Sequence, residues 1–178
     1  MVDECSMEAT AGSKIKEKIL IVITLSALTA YLPTAIHNQF ITGPLVNMSL
    51  ILAVFLIGPY EAVFLGLIPS VLALVSGLLP AALAPAVPFI MISNAILIGV
   101  YHYLGKKNFG ISIFTAAFLK FLFLYLVTGL LVSYFVAGTA SVSLAAMFGW
   151  VQLATAIVGG LLAFVILVFM RRLNQKTA

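Results

Sequence analysis

The chain has 178 residues, of which 63% are hydrophobic and only 8% charged, with a mean hydropathy of +1.24. Soluble domains run at about 45–50% apolar and about 25% charged, so composition excludes a water-soluble domain and predicts an integral membrane protein. The formal net charge of +4 comes from residues at the ends of apolar runs and forms no patch, which argues against nucleic acid and leaves the basic residues to report orientation.

The apolar runs are continuous, whereas the strands of a membrane barrel alternate polar and apolar residues over about ten positions. Helices are therefore expected throughout. Met1 to Ser13 carries Asp3, Glu4 and Glu8 and reads as a mobile tail, too acidic and polar for a secretion signal. The lone Cys5 leaves no internal disulfide and no paired-thiol metal site.

Lys14, Lys16 and Lys18 precede the first span, Ile19 to about Ile36, in which Ser26, Ala27 and Ala30 make a stripe of small residues that another helix can approach closely. His37, Asn38 and Gln39 form a polar loop. The second span runs from Gly43 to Ile57, short for a bilayer of about 30 Å unless it begins near Phe40. Gly58 and Pro59 turn the chain into a third span that reaches about Leu79 and is loosened at Pro69. Pro80 to Val87 reads as a loop, after which Pro88 suits the first turn of a fourth helix ending at Leu104. A basic turn from Gly105 to Gly110 leads to the fifth span, Ile111 to Val136, and a small polar loop from Ala137 to Ser143. The sixth helix extends from about Ala145 to Met170 and stops at Arg171, Arg172 and Lys176.

The expected fold is thus all-α, with six transmembrane helices in one domain over 14–172, flanked by tails at 1–13 and 173–178. An even number of spans puts Lys14, Lys16, Lys18, Lys106, Lys107, Arg171, Arg172 and Lys176 on one side, and the three opposite loops hold no Lys or Arg. The excess of cytoplasmic positive charge then makes both termini cytoplasmic.

Two ionisable residues interrupt the apolar runs. Lys120 lies nine residues past Ile111, about 13 Å deep by helical rise, too far to reach cytoplasmic water comfortably, so it needs a partner or a cavity. An extended Glu61 is one candidate partner if the third and fifth helices are neighbours; direct ligand contact and independent solvation are the alternatives. The outward halves of the helices hold Ser93 and Asn94, Tyr125, Thr128 and Tyr134, and Trp150 and Gln152. With His37, Asn38 and Gln39 they make a candidate pocket in which amides orient a ligand and rings stack on it. Each also has a plainer reading: Trp150 and Tyr134 as interfacial anchors, Asn94 as a helix-to-helix hydrogen bonder, and His37 as a loop residue.

No paired carboxylates in one leaflet, metal-spaced histidines, serine elbow or phosphate-cradling glycine loop is present in the sequence. An enzyme, a metal site and a bound cofactor are not expected, and active transport would need a separate ATP-driven motor.

The six-helix layout, the Ser26 to Ala30 stripe, and the block GPYEAVFLG followed by a proline-rich loop and PFIMISNAILIGV resemble the substrate-binding subunits, or S components, of energy-coupling factor transporters. The resemblance covers Lys14 to Arg172. It implies a multi-pass protein of a prokaryotic plasma membrane that takes a small vitamin-like molecule from outside and encloses it between the outer loops and the outward halves of helices four to six. It also implies release when the subunit topples against a transmembrane coupling protein driven by two ATPases, docked through Ser26, Ala27 and Ala30. Where many members carry an acidic or otherwise polar residue after the GP block, this chain has Pro69 and Ser70. The resemblance therefore implies a role without a ligand. The competing reading is a scaffold subunit whose small-residue faces, including Gly159, Gly160 and Ala163, are permanent helix contacts. A third reading, an intramembrane enzyme, requires Glu61 and Lys120 to converge on an accessible cavity.

Overall fold

The computed structural model describes residues 19–31, 34–36, 38–105, 107–134 and 139–177. The tail at 1–13 and the basic residues Lys14, Lys16, Lys18 and Lys106 lie outside them. Every described element is helical. In order they are α1 (Ile19–Tyr31), α2 (Gln39–Leu56), α3 (Pro59–Val75), a 3-10 turn (Ala81–Ala86), α4 (Val87–Leu104), α5 (Phe109–Tyr134), α6 (Thr139–Phe148) and α7 (Trp150–Thr177). The all-α expectation holds. Four stretches, Gln39–Leu56, Ala81–Leu104, Phe109–Tyr134 and Ser141–Arg172, are long and apolar enough to cross a bilayer, while α1 and α3 are shorter apolar helices. Large side chains such as Phe64, Tyr103, Leu126 and Val165 stand exposed around the bundle. A helical bundle with an apolar exterior fits a membrane protein, because each helix satisfies its own backbone where no water can.

Several boundaries differ from the sequence reading, each for a local reason. α2 begins at Gln39 because the Asn38 side chain accepts a hydrogen bond from the Phe40 amide at 2.9 Å and caps the helix. α3 ends at Val75 and not at Leu79, since Gly77 adopts φ +79°, a conformation that glycine takes without strain. The segment after Pro80 is a 3-10 helix, a form that suits short stretches; Pro85 within it offers no amide hydrogen for a longer ladder.

The largest correction concerns the last third of the chain. The loop expected from Ala137 to Ser143 is helical from Thr139, and the expected sixth helix is two helices broken at Gly149. Leu144 and Phe148, one turn apart on α6, are fully buried against a cluster that includes Leu79, Leu83, Leu124 and Leu131. That burial stabilises a ten-residue helix too short to persist alone. α7 then continues past Met170 to Thr177.

α2 packs on α3 and α7, α4 on α3 and α5, and α5 on α7. The seam between α2 and α7 is set by Gly159: a Cβ there would lie 2.6 Å from the Pro44 carbonyl oxygen and 2.7 Å from Asn47 Cβ. Backbone meets backbone at this point, as small residues permit. Gly160 instead receives the Ile113 side chain of α5, and Ala163 is fully buried. These small residues are therefore occupied by contacts within the chain itself. The main core gathers residues from α1, α2, α3, α4, α5 and α7. The second cluster, around Leu79, Leu124 and Phe148, closes one end of the bundle.

Candidate functional site

Between the two clusters lies a cavity of about 100 Å³. Its largest wall is one face of α2, where Gln39, Thr42, Gly43, Val46 and Asn47 recur at the spacing that stacks side chains along a helix. α3 contributes Pro69, Ser70 and Ala73, α4 Ile90 and Asn94, α5 Lys120, and α7 Gln152. Leu79 and the end of α6, Met147 and Phe148, lie across it. The Gln39 amide donates to the Met147 carbonyl at 3.1 Å, tying the start of α2 to that covering helix.

Lys120 is 3% exposed, and its ammonium donates to Asn47 Oδ1 at 2.7 Å and to Asn94 Oδ1 at 2.8 Å. Asn94 in turn donates through Nδ2 to the Gly66 carbonyl at 2.8 Å. Three helices, α2, α4 and α5, are thus joined at one nitrogen, and α3 is tied in through Asn94. All three side chains are at least 97% buried, so each bond forms where water cannot compete for it. An ammonium has three N–H donors, and among the described residues the two asparagine oxygens take two of them.

The Glu61 pairing considered for Lys120 does not describe these contacts. Glu61 sits in the first turn of α3, its Oε2 3.0 Å from where a Gly58 Cβ would stand. That is about 7.5 Å along the helix from Gly66, where Asn94 makes its contact. Lys120 reaches amides on α2 and α4 instead of a carboxylate on α3.

Ser70 is the second unusual group. Its Oγ is buried, 3% of the residue being exposed, and it has no hydrogen-bond partner. Helical hydroxyls normally bond back to a carbonyl three or four residues earlier. Ser49, Ser93, Ser112 and Thr128 do so, at 2.7–2.9 Å. For Ser70 the carbonyl four residues back is Gly66, which already accepts from Asn94.

Of the residues singled out from the sequence, Gln39, Asn94, Lys120 and Gln152 line the cavity. Asn38 is exposed and serves as the cap of α2. Trp150 (76% exposed) and Tyr125 (61%) lie on the outer surface, where Phe121 stacks on Trp150 at 5.5 Å between ring centroids and leans on Tyr125 at 5.8 Å. Gln152 lies two positions after Trp150, about 200° around a helix, so only one of them faces inward. His37 lies outside the described residues. On α1, Ala27 is exposed and Ser26 and Ala30 are half-buried. Asn47 and Ser70 were not selected as ligand contacts from the sequence. The rule that drew attention to Asn94, an amide in an apolar helix that must find a partner, applies equally to Asn47.

Among the described residues no group of three His, Cys, Asp or Glu is placed to hold a metal ion. The cavity's polar groups are an ammonium, amides and hydroxyls set among apolar walls, a combination suited to recognising a small molecule by charge and hydrogen bonding. Searches of protein-family models, of curated proteins and of solved structures find no match to this chain.

Proposed function

We propose that this chain is the substrate-binding subunit of an ATP-driven uptake transporter of the energy-coupling factor type, resident in a prokaryotic plasma membrane. The observation that carries the reading is the polar floor of the cavity: Lys120 held by Asn47 and Asn94, beside the unpartnered Ser70 hydroxyl. An ionisable group deep in an apolar helix marks a substrate path more often than it serves packing. In this reading α1, α2, α3, α4, α5 and α7 make six crossings, and α6 lies at the outer surface as part of the cover. In the same reading the basic end with Lys107, Arg171 and Arg172, away from the cavity, is cytoplasmic by the excess of positive charge, and both termini are cytoplasmic with it.

The chain supplies recognition, and energy comes from partners. The ligand enters from outside, displaces the cover formed by α6 and the 3-10 turn, and settles on the polar floor. The exposed apolar side of α1 around Ala27 and Ile23 is the face offered to a transmembrane coupling protein driven by two ATPases. The test is to purify the tagged full-length chain from its native membranes and to measure ATPase activity and retained small molecules together. Co-purification of a membrane protein with two ATPases, and uptake that depends on them, is the expected result. A fixed partner without ATPase activity, and no retained compound, would favour a scaffold instead.

A further inference from the structure

We infer that the cavity takes a small apolar monocarboxylate, its carboxylate seated between Lys120 and Ser70 and its hydrocarbon part against the walls formed by Val46, Ile90 and Phe148. This deepens the uptake reading and rests on it. The first support is charge. From residue 19 onward Glu61 is the only acidic side chain in the sequence, and the cavity lining contains none. The two asparagine oxygens point their negative ends at the Lys120 nitrogen, yet both amides are neutral and bring no counter-charge. A buried charge calls for an opposite charge, and since no carboxylate among the described residues lines the cavity, an anionic ligand supplies one.

The second support is donor geometry. Lys120 has one N–H beyond those given to Asn47 and Asn94, and Ser70 has a buried hydroxyl with no partner. Both residues line the same cavity. A carboxylate has two oxygens able to accept both donors in charge-assisted bonds. A neutral amide offers one oxygen and brings an NH₂ that would face donors. An inorganic anion satisfies the floor but gains nothing from the apolar walls. Size sets the third limit: a cavity of about 150 Å³ holds benzene, so the roughly 100 Å³ found here suits a short chain, and a ring requires α6 to move outward.

The test uses the purified full-length protein in lipid nanodiscs, titrated calorimetrically with butyrate and benzoate, with their amides, and with inorganic phosphate. The acids are expected to bind at least about thirtyfold tighter than the amides, since a charge-assisted bond and a counter-charge are lost together. Ser70→Ala, which removes an unpartnered group and should fold normally, is expected to weaken butyrate about tenfold while leaving butyramide within about twofold. Equal binding of acid and amide, tighter binding of phosphate, or no acid binding to folded protein would overturn the inference. ATP-dependent uptake of a neutral compound by the same preparation would retain the transporter reading while rejecting the carboxylate; absence of any ATPase partner would reject the transporter reading itself.

Discussion

The seam between α2 and α7 and the cavity beside it share a wall, yet they treat space in opposite ways. At the seam, Gly159 lets two backbones touch, and an added Cβ would meet the Pro44 carbonyl oxygen at 2.6 Å and the Met48 amide nitrogen at 2.9 Å. Asn47, whose Cβ belongs to that seam, points its amide oxygen the other way, at Lys120, and there an unfilled volume begins. The same helix thus carries a close-packed edge and a polar, open one. Close approach at Gly159 fixes where Asn47 stands, so the rigid seam positions the polar floor of the cavity.

Four substitutions test this contrast, from the largest effect to the smallest. Asn94→Leu removes one acceptor from a buried ammonium and the bond to Gly66, and unfolding measurements in detergent should show a loss of about 3 kcal/mol. A near-neutral result would mean that Lys120 is solvated by another route. Gly159→Ala forces a methyl group onto the α2 backbone and should cost about 2 kcal/mol, with ligand affinity falling because Asn47 shifts. Retained stability with unchanged binding would uncouple seam from floor.

Ser70→Ala should behave in the opposite sense, leaving the protein as stable as before or more stable by up to about 1 kcal/mol in the same unfolding assay, because a buried hydroxyl without a partner is lost. Destabilisation would show that the hydroxyl has a structural partner. Trp150→Ala removes only an exposed stack on Phe121 and is expected to shift stability by less than about 1 kcal/mol, with no change in ligand affinity by calorimetry. A marked loss of binding would extend the site to the outer surface.

Much of the helical layout was legible because hydropathy and proline placement act locally. Pro88 in the first turn of α4 and the turn at Gly58 follow from backbone rules alone. Lys120 was conspicuous for the same reason, as a charge within an apolar run. Its partners were not, since sequence position gives depth along a helix but not which neighbours lie at that depth. Tyr125 illustrates the angular version of this limit: five residues beyond Lys120, it stands about 140° around α5 and faces outward. α6 escaped notice because its stability comes from Leu144 and Phe148 packing on distant residues. Beside Ser70, the Gly66 carbonyl accepts from Asn94, a contact between helices that no local pattern records.

The central claim is that the polar cavity opens to the outside while the basic end faces the cytoplasm. With Cys5, the chain's one native cysteine, replaced by serine, single cysteines at Gln152→Cys and Lys107→Cys report each end to a small membrane-impermeant thiosulfonate in intact cells. The account predicts that the cysteine replacing Gln152 reacts from outside and that the one replacing Lys107 reacts only after permeabilisation. The reverse pattern, or protection of both positions in intact cells, would contradict it.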